Sequence, residues 1–214
     1  MEYVDVFDAN YNHLGKERKH KVYSDGLWHQ AFYCWIIRPN NKILLQLRSK
    51  DKSHFPNKVD ASAAGTISAG ETVLTGGIRE IKEELGINVD EKRLRYLGFF
   101  QQAADLPTQK GLFYIRGLSH AYFLKDDTPL DKYILQEREV DGIYEMDIQD
   151  GLKLFSDEVK EISITGIARE SGLLDTINVS KDRFVMDACR TEFYYIKLCI
   201  MAERFAKGEK YLAF

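Results

Sequence analysis

Residues 65–87 read GTISAGETVLTGGIREIKEELGI, and this stretch decides the fold. Its apolar residues recur at spacings of four, three and four, the period of one buried helix face, at Leu74, Ile78, Ile81 and Leu85. Gly86 follows directly, where a left-handed residue commonly caps a helix. The pattern predicts an amphipathic helix between Thr72 and Leu85.

The opposite face of this helix is acidic. At about 100° per residue, Glu80, Glu83 and Glu84 fall within roughly a third of the helix circumference, about 140° from the apolar face. Carboxylates crowded in this way repel each other and raise one another's pKa, so a cation is expected among them. Oxygen ligands without Cys or His partners suit Mg²⁺ or Mn²⁺. The alternative is an acidic face in contact with solvent.

The stretch resembles the Nudix box, the signature of a family that hydrolyses a diphosphate linked to another moiety. That pattern is a Gly, five residues, a Glu, seven residues, Arg-Glu-aliphatic, one residue, Glu-Glu, one residue and Gly-aliphatic. Every fixed position is filled, by Gly65, Glu71, Arg79, Glu80, Ile81, Glu83, Glu84, Gly86 and Ile87. The resemblance implies a Nudix α/β/α sandwich with a mixed β-sheet, and Mg²⁺ or Mn²⁺ as the cofactor.

The resemblance also implies roles for these residues. Glu80, Glu83 and Glu84 are the metal ligands, with Glu80 and Glu84 one helical turn apart as the principal pair. Arg79 and Glu71 lie where family members form an ion pair that fixes the loop against the helix. Structural support is therefore assigned to four residues: Gly65, Glu71, Arg79 and Gly86.

The chemistry expected of such a site is attack of water on one phosphorus of the diphosphate, with cations neutralising the developing charge. The general base is left open between Glu83 on the helix and two glutamates of a later segment, Glu137 and Glu139 in LQEREVDGIYEMD at residues 135–147. We predict catalytic roles for Glu83, Glu84 and Glu139.

A longer similarity narrows the branch of the family. The segments GLWHQAFYCWII at 26–37 and KILLQLRSKDKSHFPNKVDASAAG at 42–65 resemble the branch that includes isopentenyl diphosphate isomerase. Arg48 and Lys52 match isomerase residues that touch the diphosphate, so we predict that they bind substrate. The similarity runs from about residue 4 to residue 147.

Two substitutions separate this chain from the isomerases of that branch. An isomerase needs a catalytic Cys immediately before the first Gly of the box and a metal-binding His shortly after it. Ala64 and Thr66 occupy these positions. His29 matches an isomerase metal ligand, but without the other ligands a packed or hydrogen-bonded role is favoured. Diphosphate hydrolysis keeps its complete set of residues, whereas allylic proton transfer does not.

The organisation of the chain follows from its periodicity. Strand-like segments lie at residues 3–8, 31–38, 42–48, 95–101, 112–124 and 140–146, and helical patterns follow at 148–161 and 190–205. Strands, a helix, further strands and further helices are typical of the α/β class. We expect a Nudix hydrolase domain over residues 1–150 and a C-terminal helical extension over residues 151–214, packed on the same domain.

Composition limits the classes of partner. The chain has 214 residues, 44% hydrophobic and 29% charged, with a formal net charge of −3, which indicates a globular protein without the basic excess of a nucleic-acid binder. No apolar run approaches the roughly 20 residues that span a bilayer. The N-terminal residues lack the basic-then-apolar pattern of a secretory signal. We therefore expect a cytoplasmic protein that binds neither nucleic acid nor membrane; whether it forms a homodimer is left open.

These observations together predict Mg²⁺-dependent hydrolysis of a diphosphate linkage in a nucleoside diphosphate derivative or a related small molecule. The alternative is an isopentenyl diphosphate isomerase or an isoprenoid diphosphate hydrolase. A third class is a non-catalytic sensor that binds a nucleotide sugar. It is disfavoured because no helix-turn-helix and little basic charge occur in residues 159–214.

Overall fold

A computed structural model describes residues 2–108 and 111–213. The helices are α1 (Lys19–Asp25), α2 (Val73–Leu85), α3 (Ile148–Phe155) and α4 (Glu192–Ala206). The strands are β1 (Tyr3–Phe7), β2 (His13–Arg18), β3 (Trp28–Arg38), β4 (Lys42–Arg48), β5 (Val59–Asp60), β6 (Ala63–Thr66), β7 (Arg95–Thr108), β8 (Gly111–Lys125), β9 (Val140–Asp147), β10 (Ile162–Ala168) and β11 (Leu174–Val179).

The acidic helix α2 begins and ends at residues suited to those positions. Thr72 is the N-cap, and its hydroxyl accepts from the backbone N–H of Thr75 while the Thr75 side chain accepts from Thr72, which satisfies two donors at the helix start. Gly86 ends the helix in the left-handed conformation with φ 73°, which costs little without a Cβ. The predicted helix between Thr72 and Leu85 is confirmed.

The strands form one mixed sheet. Its main path has the order β11-β10-β9-β4-β3-β1-β2. Off this path, β5 pairs with β4, β6 and β8 pair with β3, and β7 pairs with β8. Strands β3 and β8 run parallel, whereas the other strand pairs of the described residues are antiparallel. The expected mixed sheet is confirmed.

Hydrophobic cores lie on both faces of the sheet, as the alternation along β3 shows. Phe32, Cys34 and Ile36 pack in the core that contains Ile81 and Leu85 of α2. Their neighbours Trp35 and Ile37 belong to the core that contains side chains of α3 and α4. Because successive strand residues point to opposite faces, helices cover the sheet on both sides. The chain therefore has the predicted α/β/α architecture.

The two central strands separate and so create space for a site. Strand β3 pairs with β4 only over residues 36–38, whose partners are residues 42–44 of β4. Beyond this point β3 pairs with β6, while β4 pairs with β5 and β9. The fork between β3 and β4 is lined by residues of β5 and β6, and it opens toward the acidic face of α2.

The C-terminal part differs from the predicted helical extension. The helical pattern at 190–205 corresponds to α4. The pattern at 148–161 corresponds to α3, which ends earlier, at Phe155. Strands β10 and β11 also lie in this part and extend the sheet beside β9, so the description of residues 151–214 as helical is corrected. Ile162, Ile164 and Gly166 alternate with polar residues, a strand pattern that the helical periodicity around it obscured. In the described ranges no helix is both long and apolar enough to cross a membrane.

Candidate active site

A cavity of about 910 Å³ opens at the fork of β3 and β4, next to helix α2. Its lining includes the four predicted carboxylates, Glu80, Glu83 and Glu84 from α2 and Glu139 from the loop before β9. Three further acidic residues also line it: Glu2, Asp51 and Asp60. Sequence positions more than fifty residues apart thus contribute acidic groups to the same cavity. The predicted metal and catalytic residues are brought together in one place.

Glu84 is the least exposed of the three carboxylates of α2, with 4% of its surface exposed. Its Oε2 accepts from the backbone N–H of Ala64 at 3.0 Å and from the side-chain amide of Gln46 at 3.2 Å. Burial, reinforced by the neighbouring charge of Glu80, raises the pKa of Glu84 to about 8. Within the part of the chain that the structure describes, the carboxylate is hydrogen-bonded by uncharged groups alone. A divalent cation would supply the missing positive charge.

Glu80 lies against the backbone of β6. A Cβ added at Gly65 would be 2.1 Å from its carboxyl carbon, so the first Gly of the box leaves the space that this carboxylate fills. Burial raises the pKa of Glu80, and the charge of Arg79 acts in the opposite direction. The residue is 9% exposed and lines the cavity, so it faces the same space as Glu84.

Arg79 connects the box loop to the acidic face. Its Nε and Nη2 donate to the two oxygens of Glu71 at 2.9 and 3.0 Å, the bidentate arrangement that best fits a guanidinium to a carboxylate. This hydrogen bonding lowers the pKa of Glu71. Nη1 donates to Glu80 at 2.8 Å and to Glu83 at 3.0 Å. The guanidinium thus holds the loop and offsets part of the carboxylate repulsion.

The donor set fits a hard divalent cation. Glu80, Glu83 and Glu84 present carboxylate oxygens, the ligand type that Mg²⁺ and Mn²⁺ prefer, and Glu84 has no cationic partner at hydrogen-bond distance in the described ranges. Residues 2–108 and 111–213 contain no group of three His, Cys, Asp or Glu side chains already arranged to hold an ion. Two of the three carboxylates of α2 already contact one cation, because Nη1 of Arg79 donates to one oxygen of Glu80 and to one of Glu83.

The two predicted substrate-binding residues have different surroundings. Lys52 forms an ion pair with Glu139 across the cavity, and both side chains are partly exposed. Arg48 is 8% exposed, and each of its three nitrogens already donates: Nε to the carbonyl of Phe55, Nη2 to that of His54 and Nη1 to Asp60. Both residues line the cavity, but Arg48 also holds the loop that follows β4.

The two candidate bases in the loop before β9 are separated by the structure. Glu139 lines the cavity and contacts Lys52. Glu137 is exposed and is not among the residues that line the cavity. Only one of the pair is therefore close to the acidic face of α2.

Aromatic side chains also line the cavity. The ring of Phe113 stacks between Tyr23 and His54, with centroid distances of 4.5 Å on each side. His29 is buried, and its Nδ1 lies 3.0 Å from the carbonyl of Leu27. Burial lowers the pKa of His29 to about 4, so this ring is neutral at ordinary pH. His29 is thus buried and close to a backbone carbonyl, and it also lines the cavity.

Two cavity residues escaped the sequence analysis. Arg190, from the segment before α4, is 2% exposed and donates to Asp60 at 2.8 Å and to Asp187 at 3.0 Å. Asp60 also accepts from Arg48 at 3.3 Å, so one carboxylate joins two arginines at the floor of the cavity. No local pattern marks these residues, because Asp60 and Arg190 are 130 positions apart.

Comparison with protein families agrees with this geometry. The NUDIX domain profile matches residues 27–162, which includes the box, the fork and the loop before β9. The chain belongs to the Nudix family. It is a Nudix hydrolase, a pyrophosphohydrolase that acts on phosphoanhydride bonds, and Nudix hydrolases generally use divalent metal ions such as Mg²⁺ or Mn²⁺.

Relatives of this Nudix hydrolase differ in how much of their length they share with it. An uncharacterized Nudix hydrolase of Clostridium acetobutylicum is 28% identical over 190 residues, 86% of this chain and 90% of that protein. Nudix hydrolase 3 of Arabidopsis thaliana is 33% identical over 66% of this chain but only 19% of its own length. A prenyl-diphosphate phosphatase of Methanosarcina mazei is 39% identical over 42% of this chain and 53% of its own length.

The fold is shared with solved structures. The crystal structure of DR0079 from Deinococcus radiodurans superimposes with a TM-score of 0.56 and covers 73% of this chain and 90% of that one. Sequence identity in this pair is 21%, so the similarity concerns the fold. The Nudix fold expected from the box is therefore confirmed.

Proposed function

We propose that this Nudix hydrolase catalyses Mg²⁺-dependent hydrolysis of a diphosphate linkage in a nucleoside diphosphate derivative or a related small molecule. One observation supports this most directly: a buried carboxylate, Glu84, shares a cavity with Glu80, Glu83 and Glu139, and uncharged donors alone form hydrogen bonds with it among the described residues. A buried carboxylate without a counter-charge is costly unless a cation joins it.

The residues of the cavity have complementary roles in this proposal. Glu80, Glu83 and Glu84 would hold Mg²⁺ or Mn²⁺, which supplies charge compensation for phosphate oxygens and makes water more acidic. Lys52 and Arg48 bind the diphosphate. The general base is Glu83 or Glu139, each of which lines the cavity. Gly65, Glu71, Arg79 and Gly86 maintain the geometry of the box.

Isoprenoid diphosphate hydrolysis is the second candidate. It is favoured by the similarity of 91 residues to the prenyl-diphosphate phosphatase of Methanosarcina mazei. The isomerase alternative has less support, because Ala64 and Thr66 stand where an isomerase has its catalytic Cys and a metal-binding His. Ala64 contributes its backbone N–H to Glu84, and the hydroxyl of Thr66 pairs with that of Tyr23. The cytoplasmic location and the domain boundary near residue 150 stay predictions.

A substrate screen tests the proposed function. Nucleoside diphosphates, nucleotide sugars, dinucleotides and isoprenoid diphosphates are incubated with and without Mg²⁺, and the phosphorus products are resolved by ³¹P NMR. We expect Mg²⁺-dependent cleavage of a nucleoside diphosphate derivative. With isopentenyl diphosphate, release of phosphate supports the second candidate, whereas formation of the dimethylallyl isomer supports the isomerase alternative.

Substitutions in the box provide the second part of this test. Glu83→Gln and Glu84→Gln are expected to lower kcat on the identified substrate by about 100-fold or more. The exposed Glu91→Gln, outside the cavity, is the control and keeps its activity. Full metal-dependent turnover by both box variants contradicts the proposed role of this carboxylate cluster.

A further inference from the structure

Arg190 reaches the cavity from outside the segment that the family profile covers. The profile ends at residue 162, and Arg190 lies in the segment between β11 and α4. Its guanidinium lies over the ring of Tyr33, with 5.3 Å between Cζ and the ring centroid. The C-terminal part of the chain thus supplies a buried cation to the floor of the cavity.

The side chain of Arg190 is held in one orientation. Asp187 accepts from the side chain of Arg190, from two backbone N–H groups of the same turn and from the amide of Gln102 at 2.7 Å. Asp60 accepts from Nη1 of Arg190 on the other side. Such a guanidinium loses little additional freedom when it binds a ligand, which favours binding.

Two strand pairings place Arg190 next to Glu84. Gln46 and Asp60 are cross-strand partners; Gln46 donates to Glu84, and Asp60 accepts from Arg190. Tyr33 and Ala64 are also cross-strand partners.

Ala64 donates its backbone N–H to Glu84, while the ring of Tyr33 lies under Arg190. The two residues that donate to Glu84 are Gln46 and Ala64. Each is therefore paired across the sheet with a residue that contacts Arg190. Because cross-strand Cα atoms are about 4.5–5.5 Å apart, the guanidinium and the buried carboxylate occupy neighbouring parts of the cavity floor.

One nitrogen of Arg190 is available to a ligand. Its Nε and Nη1 donate to Asp187 and Asp60, whereas Nη2 makes no hydrogen bond within residues 2–108 and 111–213 and is not sealed from solvent. Arg48 differs, since all three of its nitrogens already donate to the protein. A guanidinium with a free Nη2 beside a metal-binding carboxylate suits an anionic oxygen.

We propose that Arg190 is a substrate-binding residue, and that its Nη2 donates to a phosphate oxygen of the diphosphate held at Glu80 and Glu84. The proposal rests on the proposed function, because it takes the ligand to be a diphosphate. It gives the C-terminal part of the chain a direct role in substrate binding.

The test measures binding of methylenediphosphonate, a diphosphate analogue that water does not cleave, by calorimetry in the presence of Mg²⁺. The double variant Arg190→Gln/Asp187→Asn removes the guanidinium together with one of the carboxylates it would leave unpaired, and Asp187→Asn alone keeps the guanidinium. We expect the double variant to bind about 10-fold to 100-fold more weakly than Asp187→Asn, the effect of losing a charge-assisted hydrogen bond.

Two further proteins complete the experiment. Arg204→Gln, which removes a partly exposed arginine of α4 paired with Glu209, is the control and binds within about 2-fold of the wild-type protein. A crystal structure of the wild-type protein with methylenediphosphonate and Mg²⁺ needs no substitution. Nη2 of Arg190 is expected at about 3 Å from a phosphonate oxygen.

The outcomes separate this inference from the proposed function. Equal binding by a folded double variant and by Asp187→Asn, or a phosphonate beyond hydrogen-bond reach of Nη2, overturns the inference while hydrolysis in the substrate screen still supports the function. A wild-type protein that neither binds methylenediphosphonate nor cleaves any diphosphate overturns both. If the double variant does not fold, the wild-type crystal structure decides.

Discussion

The carboxylate of Glu80 occupies the space that a side chain at Gly65 would fill, since an added Cβ would be 2.1 Å from its carboxyl carbon. The first Gly of the box, fifteen positions earlier in the sequence, is therefore a steric requirement for the position of a proposed metal ligand. The box spacing reflects packing as well as chemistry.

Gly65→Ala is expected to displace the Glu80 carboxylate and weaken Mg²⁺ binding by about 10-fold or more, because overpacking forces the carboxylate or β6 to shift. Mg²⁺ titration followed by calorimetry measures the affinity. Gly172→Ala is the control: Gly172 has φ +64 and open space around it, so this variant costs stability without touching the cavity. Unchanged Mg²⁺ affinity in Gly65→Ala contradicts the steric argument.

Glu84→Gln is expected to stabilise the metal-free protein at pH 8. Burial raises the folded-state pKa of Glu84 from its ordinary 4.5 to about 8, so ionisation between these values favours the unfolded chain and stability falls as the pH rises through this window. A neutral amide removes this penalty, which amounts to a few kcal/mol at most. Thermal unfolding with a chelator at pH 4 and pH 8 gives the comparison.

The stabilisation should be present at pH 8 and absent at pH 4, where Glu84 is protonated in both the folded and the unfolded state. If the stability of the wild-type protein and that of Glu84→Gln depend on pH in the same way, the pKa of Glu84 is not raised by folding. The same variant loses Mg²⁺-dependent activity, so stability and function move in opposite directions at this position.

Glu139→Gln and Glu137→Gln distinguish the two candidate bases of the loop before β9. Glu139 lines the cavity and contacts Lys52, whereas Glu137 is exposed outside it. We expect Glu139→Gln to lower kcat by about 100-fold and Glu137→Gln to leave it within about 2-fold. Steady-state kinetics on the identified substrate measures both. Equal and small effects would assign the base to Glu83 on α2.

Acidification should destabilise the protein through the buried His29 and the half-buried His54. Burial lowers the pKa of His29 to about 4 and that of His54 to about 3, both below the ordinary 6.5. The stability that each neutral ring contributes is present above pH 6.5 and is lost as the pH falls toward the folded-state pKa. Each histidine contributes a slope of up to about 1.4 kcal/mol per pH unit in this window.

The measurement is urea unfolding at pH 7, 6 and 5 for the wild-type protein, His29→Gln, His54→Gln and the double variant. The free energy of unfolding should fall most steeply in the wild-type protein and least in the double variant. A double variant with the wild-type slope would show that these two rings accept protons as readily when folded as when unfolded.

The local features of this fold were predictable, and the distant ones were not. Helix α2 is marked by Thr72 and Gly86 at its ends, and the acidic face follows from spacing alone. Strands β10 and β11 are short and lie between helical patterns, so periodicity gave no clear sign of them. Arg190 was missed because its place in the cavity depends on its ion pair with Asp60, and no sequence pattern links the two residues.

Arg48 illustrates the same limit within the site. Sequence similarity indicates a phosphate-binding residue, and the side chain does line the cavity. What similarity cannot convey is the number of donors that remain, since the carbonyls of His54 and Phe55 depend on how the loop after β4 turns back. Its predicted role in binding the diphosphate stays a prediction.

The ion pair between Asp60 and Arg190 has a consequence for the order of events during translation. The two residues are 130 positions apart, and a ribosome adds about 5–20 residues per second, so about 6 to 26 seconds separate their synthesis. During that interval the nascent polypeptide already contains the whole Nudix box but leaves Asp60 without one of its two arginines. A chain that stops before residue 190 therefore lacks this part of the cavity floor, and on the proposed role of Arg190 it would bind the diphosphate less well.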